Sequence, residues 1–352
     1  MAIPDVTVLG AGILGLSAAY ACARRGARVR VIETHRVGAG SSGGVVGALA
    51  PHTPENWNPK KQVQFDSLIR AEAWWTEIAA ATGCDPGYTR LGRLQPIADD
   101  RALALARDRA EQAETLWQGR AAWHIRPATE FANWAPVTST GLVIHDTLTA
   151  RLHPAKACAA MAAALQGLGA EILIGDHAPT GKVIEATGAA GLAELSGHFG
   201  VQVGNGVKGQ AAVLGYDART LPQLFVDGLH IVPHTDGTTA VGSTSERDYT
   251  DPTGTDALLD AVIARARAAV PVLRDAPVRA RWAGLRPRAK SRAPMLGAHP
   301  LRPDRVILNG GFKIGFGMAP ELAEMAADLI LDGQARIPPE FDPAASLPKP
   351  TP

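Results

Sequence analysis

The first glycine-rich stretch of the chain has the spacing of a phosphate-binding turn. Residues 10–15 are Gly-Ala-Gly-Ile-Leu-Gly, which satisfies G-x-G-x-x-G. In this pattern the first glycine permits a tight turn, the second lets the backbone approach a pyrophosphate, and the third lets a helix pack on a strand. A helix that begins here would offer free N–H groups and the positive end of its dipole to phosphates. Glu33 lies where a carboxylate can accept hydrogen bonds from both hydroxyls of a ribose, which disfavours a 2′-phosphate.

The elements around this turn form a strand, a helix and a second strand. Val6–Leu9 is a short β-branched run, residues 13–25 are rich in Ala and Leu and precede Gly26, and residues 28–32 alternate again. This is the context that the motif requires, so we predict dinucleotide binding rather than a glycine turn that merely packs tightly. The predicted contacts of this unit are Gly10, Ala11, Gly12, Ile13, Leu14, Gly15, Glu33 and Thr34.

Three later segments favour FAD over NAD as the dinucleotide. Residues 38–47 and 309–317 are rich in glycine, and Ala186-Thr187-Gly188 closes a strand-like run. Any one of these could be an ordinary loop. Together they predict FAD, because a flavin is larger and needs close backbone approach along its ring as well. Lys313 interrupts the last segment, and a lysine in apolar surroundings is costly unless it has a partner or reaches solvent.

The rest of the sequence predicts an α/β protein of mixed α+β character, with helices over 61–81, 99–118, 154–168, 256–270 and 320–332. Pro320 is placed near the first turn of the last helix. Short apolar runs separated by Gly, Asp and Pro over 201–245 predict antiparallel strands. We expect a Rossmann-like cofactor domain and a second domain built on a mixed, largely antiparallel sheet.

The composition narrows the class of protein. The chain has 352 residues with 46% hydrophobic and 20% charged side chains, and its net charge is +1. That balance gives no electrostatic footprint for nucleic acid. The three cysteines form no C-x-x-C pair, so neither a metal site nor a disulfide framework is predicted.

We see no secretory signal and no apolar stretch long enough to span a bilayer, and we expect a cytoplasmic protein. A homo-oligomer is compatible with these features.

Several motifs in succession resemble the D-amino-acid oxidase superfamily, and within it the glycine oxidase and sarcosine oxidase branch. They are residues 10–20 with 29–33, Gly40-Ser-Ser-Gly-Gly-Val-Val-Gly-Ala-Leu-Ala-Pro51, Lys208-Gly209-Gln210, His230-Ile-Val-Pro233, Val241-Gly-Ser-Thr244, Trp282-Ala-Gly-Leu-Arg-Pro287, Pro294-Met-Leu-Gly297 and Asn309-Gly-Gly-Phe-Lys-Ile-Gly315. The resemblance implies an FAD domain over 1–85, 143–200 and 283–337, a substrate domain over 86–142 and 201–282, and a Pro-rich tail over 338–352. It adds these cofactor contacts: Ser41, Ser42, Gly47, Ala48, Leu49, Thr187, Gly188, Gly311, Phe312, Lys313, Ile314 and Gly315.

The resemblance also implies a reaction. A small amine or amino acid would transfer a hydride from its C–H bond to flavin N5, and the resulting imine would hydrolyse to an oxo acid and an amine or ammonia. Arg286 would bind the substrate carboxylate, Lys313 would face the carboxylate or the flavin, and His230 matches a pocket tyrosine of glycine oxidases. A 2-hydroxy acid as substrate, an acceptor other than oxygen, an NAD enzyme, a non-catalytic FAD-binding protein and a tRNA-modifying role are the alternatives. The near-neutral charge argues against the tRNA role.

The sequence departs from the family pattern in three places. Residues 171–188 are short, so the usual β-meander is missing or trimmed and the contacts to adenine are in doubt. No cysteine stands where sarcosine oxidases attach flavin, so the FAD should be non-covalent. The lysine that activates oxygen in those enzymes aligns with Ala240, which leaves the electron acceptor open between oxygen and another oxidant.

Overall fold

The structure, a computed structural model, describes residues 3–348. Its strands are, in chain order, β1 (Val6–Leu9), β2 (Val29–Glu33), β3 (Ala48–Leu49), β4 (Arg93–Pro96), β5 (Trp123–Pro127), β6 (Leu142–Asp146), β7 (Ala150–Arg151), β8 (Glu171–Ile174), β9 (Lys182–Glu185), β10 (Gly204–Leu214), β11 (Gln223–Val226), β12 (Leu229–Pro233), β13 (Thr239–Gly242), β14 (Val278–Ala289), β15 (Met295–His299) and β16 (Arg302–Asn309). Its helices are α1 (Ile13–Arg24), α2 (Pro59–Thr82), α3 (Asp100–Leu116), α4 (Pro154–Gly167), α5 (Gly188–Phe199), α6 (Ala257–Ala269) and α7 (Gly315–Ala327).

The smaller main sheet carries the dinucleotide motif. Within the described residues it has six strands in the order β15-β16-β9-β1-β2-β8. All neighbours are parallel except β15, which runs antiparallel to β16. Helix α1 leaves β1 and returns the chain to β2, and it packs against α4 and α7. The predicted strand–helix–strand unit is therefore confirmed. Its apolar residues are buried because the sheet is covered by helices.

The larger sheet has eight strands in the order β14-β10-β13-β12-β11-β4-β6-β5. Its pairs are antiparallel except that β11 and β4 are parallel. Helix α6 packs on one face over a core that includes Leu224, Ile231 and Val241. The expected mixed α/β fold with a second, largely antiparallel sheet is confirmed.

Sheet membership refines the proposed domain limits. Residue 283, where the last cofactor-domain segment was expected to begin, falls inside β14, which belongs to the larger sheet over its whole length. Strand β6 also belongs to that sheet, although residues 143–200 were assigned to the cofactor domain. The domain limits stay a proposal. No helix in the part of the chain that the structure describes is long and apolar enough to cross a bilayer.

The C-terminal region differs from its prediction in one respect. Helix α7 begins at Gly315, so Pro320 lies inside it and not near its first turn. The glycines before Pro320 predict a loop locally, but tertiary packing of α7 against α1 and α2 overrides that weak preference. The chain continues helically over Asp328–Asp332 to Gly333. In the tail, Phe341 is fully buried in the main core; residues 349–352 lie outside the described residues.

Candidate functional site

A cavity of about 830 Å³ collects most of the predicted site residues. Those that line it are Gly10, Gly12, Ile13, Leu14, Glu33, Thr34, Ser41, Ser42, Gly47, Ala48, Thr187, Gly188, His230, Arg286, Gly311, Phe312, Lys313 and Gly315. Four predicted contacts do not line it, namely Ala11, Gly15, Leu49 and Ile314. Ala11 and Leu49 are buried in the core, and Gly15 packs against the backbone of Gly10.

The glycine turn at one end of the cavity is built for close backbone contact. Gly10 has φ +102°, and a methyl group there would clash with the carbonyl oxygen of Ala186. A methyl group at Gly15 would clash with the carbonyl oxygen of Gly10. The first N–H of α1, that of Ile13, donates to Ser42 Oγ at 3.0 Å, and no side chain among the described residues accepts from the Leu14 or Gly15 N–H, which leaves these two groups for a phosphate. The turn therefore fits a pyrophosphate.

Glu33 is held at the end of β2 by backbone donors. Its Oε2 accepts from the Ala11 N–H at 2.8 Å, and its Oε1 accepts from the His35 N–H at 3.0 Å. Oε1 also accepts from the Thr34 hydroxyl at 3.3 Å, so Oε2 is the oxygen that keeps a free lone pair, and Glu33 lines the cavity. The fixed carboxylate thus fits a ribose diol, as the sequence predicted.

The short connection between β8 and β9 closes this end of the cavity. The Gly175 N–H donates to the Glu33 carbonyl at 2.8 Å, so the loop stays against the end of β2. Gly175, Asp176, His177 and Pro179 line the cavity. Sequence reasoning missed these residues, although it identified the segment as short. A loop with no apolar periodicity gives no signal of what it contacts.

Arg286 marks the other end of the cavity. It lies on β14, and its guanidinium donates to Ser243 Oγ at 2.6 Å and to the Thr244 carbonyl at 3.3 Å. On the paired strand β10, a methyl group at Gly209 would overlap the guanidinium. Burial lowers the pKa of Arg286 to about 10, which still leaves it charged at neutral pH. Sequence reasoning gave Gly209 no role beyond its motif, and the lack of a side chain there makes room for Arg286.

Lys313 lies just before α7, and its side chain is exposed at the rim. Its Nζ is 5.7 Å from the centroid of the Phe312 ring, and the Arg288 guanidinium is 5.4 Å from the same ring. Desolvation by the surrounding cavity wall, together with the neighbouring charges of Arg286 and Arg288, lowers the pKa of Lys313. An anion bound beside it would relieve that repulsion.

His230, on β12, contributes a neutral imidazole. Its Nδ1 is buried without a hydrogen-bond partner among the described residues, and its ring lies 4.7 Å from that of Phe225. Burial, with the charges of Arg93, Lys313 and Arg286, lowers the pKa of His230 to about 3. His230 lines the cavity with a neutral ring, whereas its unpaired Nδ1 is itself shielded from solvent.

The Lys208-Gly209-Gln210 motif positions the loop that follows β13. Gln210 donates to Asp256 at 2.8 Å and to Glu246 at 3.1 Å, and it accepts from the Asp256 N–H at 2.9 Å. Buried Lys208 lies 3.7 Å from Glu246. The loop so fixed brings Ser243, Pro252 and Thr253 to the cavity wall. The motif thus acts on the site through this loop.

A group of possible metal ligands lies outside the cavity. One ligand atom of each of His153, His234 and Asp236 falls within 4.8 Å of the others. Two of the three are already engaged, because Asp236 pairs with Lys156 at 2.8 Å and both His234 nitrogens are bonded, to Thr238 and to the Val45 carbonyl, whereas His153 Nδ1 has no partner among the described residues. The bond to Val45 links the larger sheet to the glycine-rich loop at 38–47, which is a structural role.

The glycine turn, the anchored carboxylate and the N-terminus of α1 together define a dinucleotide-binding protein, and its second sheet supplies the cationic side chain of Arg286 to one end of the cavity. The chain belongs to the FAD dependent oxidoreductase family, which matches residues 5–329. It is 27% identical to a glycine oxidase of Bacillus licheniformis, with 93% of each chain covered. Among solved structures, glycine oxidase from Geobacillus kaustophilus superimposes with a TM-score of 0.81 at 22% identity, covering 97% of this chain and 98% of that one. Iminodiacetate oxidase from Chelativorans gives a TM-score of 0.82 at 23% identity, covering 96% and 98%.

These comparisons confirm the predicted family and the predicted cofactor. The protein is an FAD-dependent amine or amino-acid oxidoreductase. The solved structures, at this level of identity, show the fold alone. The FAD would lie with its pyrophosphate at Gly10–Gly12, its ribose at Glu33 and its ring toward the end of the cavity lined by Arg286 and Gly315.

Proposed function

We propose that the protein oxidises a small amino acid or secondary amine that carries a carboxylate. The observation that carries this proposal is the pinned Arg286 guanidinium, which lines the cavity and has no carboxylate within 4.0 Å among the described residues. A planar guanidinium binds a carboxylate through two parallel hydrogen bonds. FAD, when bound, supplies the chemistry by accepting a hydride from the substrate C–H bond at its N5.

The protein groups then orient the substrate. Arg286 holds the carboxylate, and the bonds to Ser243 and Thr244 fix the guanidinium before substrate arrives. His230 stays neutral, so it adds no charge to the cavity wall that receives the substrate. The N-terminus of α7 at Gly315 directs positive dipole toward the cavity, where it would stabilise negative charge on a reduced ring. The imine formed from the substrate then hydrolyses to an oxo acid and ammonia or an amine.

The test is anaerobic mixing of the purified yellow holoenzyme with glycine, sarcosine, N-substituted glycines and D- and L-amino acids. Loss of the flavin absorbance with one of these amines is the expected result. If all of them leave the flavin oxidised while a 2-hydroxy acid bleaches it, the substrate class is wrong. Admitting oxygen afterwards and timing the return of the colour decides between oxygen and another electron acceptor.

A further inference from the structure

The two ends of the cavity carry opposite charges. Its acidic lining residues, Glu33 and Asp176, stand at the ends of the paired strands β2 and β8. At the other end stand Arg286 and Lys313. The remaining cationic residue of the wall, Arg305, is already paired with Glu185 at 2.8 Å. Arg286 and Lys313 therefore give the substrate end two positive charges, and neither has a carboxylate within 4.0 Å among residues 3–348.

A carboxylate that lies in the two-pronged fork of the Arg286 guanidinium has both oxygens bonded there and does not require Lys313. Arg286 is the partly buried one, and it is pinned by Ser243. Lys313 is left at the rim, where Arg288 adds further positive charge across the Phe312 ring. His230 also lines the cavity, but its imidazole is neutral and adds no positive charge to this end. The end of the cavity is therefore more positive than a single carboxylate requires.

A reduced, negatively charged flavin is the alternative to a second substrate carboxylate as the anion that pairs with Lys313. The uncapped N-terminus of α7 at Gly315, which lines the same wall, already directs a positive dipole to the cavity. Lys313 is thus available to a ligand that enters from solvent.

We propose that the substrate is an amine with two carboxylates, one bound by Arg286 and the other by Lys313. The second carboxylate would be carried on the nitrogen, as in an N-carboxymethyl amino acid, or on the side chain, as in an acidic amino acid. This inference rests on the proposed function for the identity of the reacting group, but the two-carboxylate site is testable without turnover.

The first experiment measures binding of unreactive acids to the oxidised holoenzyme through changes in the flavin spectrum. Malonate, succinate and glutarate are compared with propionate, butyrate and valerate, respectively, at constant ionic strength. We expect at least one dicarboxylate to bind about 5- to 10-fold more tightly than the monocarboxylate of equal chain length, because a partly exposed ion pair contributes modestly. Equal affinities for the two classes would overturn the proposal.

Variants locate the second carboxylate. Lys313→Met should abolish most of the dicarboxylate advantage, and Lys313→Arg should retain it. Lys290→Met, which removes an exposed lysine that does not line the cavity, should leave the advantage unchanged. If Lys313→Met weakens both classes of acid equally, Lys313 serves the flavin and the proposal is wrong.

Turnover then distinguishes the two sources of the second carboxylate. Anaerobic flavin reduction by iminodiacetate is compared with that by sarcosine, and reduction by D- and L-aspartate and glutamate with that by glycine. Faster reduction at low concentration by either group of dicarboxylates supports the proposal and says where the second carboxylate sits. If dicarboxylates bind tightly but no amine reduces the flavin, the proposed function is wrong and the two-carboxylate site stands. If sarcosine reduces the flavin and dicarboxylates show no preference, the two-carboxylate site is wrong and the proposed function stands.

Discussion

The two ends of the cavity are built by different means. At the dinucleotide end, backbone groups carry the site: the glycine turn before α1, the N–H groups that hold Glu33, and the Gly175 loop. At the substrate end, side chains carry it, and they come from β14, from β12 and from the segment before α7. A backbone site tolerates no added atom, whereas a side-chain site tolerates changes that keep charge and length. Substitutions at the two ends should therefore fail in different ways.

The largest effect is expected at Gly15. Gly15→Ala places a methyl group against the carbonyl oxygen of Gly10, which is backbone and cannot move aside. We expect FAD affinity to fall about 100-fold or more, since overpacking at a rigid contact costs about 3 kcal/mol. Flavin content after purification and a flavin fluorescence titration measure this. Gly197→Ala, on the exposed face of α5 with no atom within 4 Å of the new methyl group, is the matched control. A fully flavinated Gly15→Ala protein would contradict the assignment.

This end could be predicted from the sequence because its requirements are local. Gly10, Gly12, Gly15 and Glu33 lie within one strand–helix–strand unit, and each residue type follows from a backbone or ribose contact. The sequence did not show which side chains point into the cavity. Ala11 and Leu49 were predicted to contact the cofactor, but they are buried in the core and do not line the cavity. The sequence did not predict that residues 176–179 line the cavity, because their position depends on the pairing of β8 with β2, which brings the end of β8 beside Glu33.

The substrate end could not be predicted in this way. Arg286, His230 and Lys313 were singled out mainly by family resemblance, and the sheet order β14-β10-β13-β12 brings the first two to one wall. Nothing in the local sequence shows that Gly209 makes room for Arg286 or that Ser243 binds it. Those facts depend on register between strands that are far apart in the chain.

Arg286 should carry the largest effect at the substrate end. In Arg286→Met we expect the second-order rate of flavin reduction to fall about 100- to 1000-fold, as for loss of one member of a buried charged contact. The FAD content should stay unchanged, in contrast to Gly15→Ala. Arg286→Lys should recover only part of the rate, because an ammonium lacks the guanidinium fork. Arg281→Met, on the exposed part of the same strand, is the control. An unchanged rate in Arg286→Met would remove the carboxylate anchor from the proposal.

Gly209 offers a smaller and more specific test. Gly209→Ala pushes the Arg286 guanidinium off its hydrogen bonds to Ser243 and Thr244, so the free energy of unfolding should fall by about 1 to 3 kcal/mol. The rate of flavin reduction at low substrate should still fall about tenfold, because the guanidinium no longer lies where the carboxylate binds. Stopped-flow reduction and thermal unfolding of the same preparation separate the two effects. The double variant with Arg286→Met should be no slower than Arg286→Met alone. Additive losses would show that Gly209 acts elsewhere.

The smallest effect concerns the pH dependence of stability. Burial holds the pKa of His230 near 3, whereas an unfolded histidine titrates near its usual 6.5. Between these values the unfolded chain binds more protons, so His230 lowers the stability of the folded protein as the pH falls from about 6.5 toward 3. His230→Gln should remove about 1 kcal/mol of this loss between pH 6.5 and about 5.5, measured by denaturant unfolding of the holoenzyme at several pH values. His234, whose pKa burial lowers to about 4, is present in both proteins, so their difference isolates His230. If the two stability curves stay parallel, the imidazole is not held neutral by its surroundings, and the cavity wall beside Arg286 is more polar than the unpaired Nδ1 indicates.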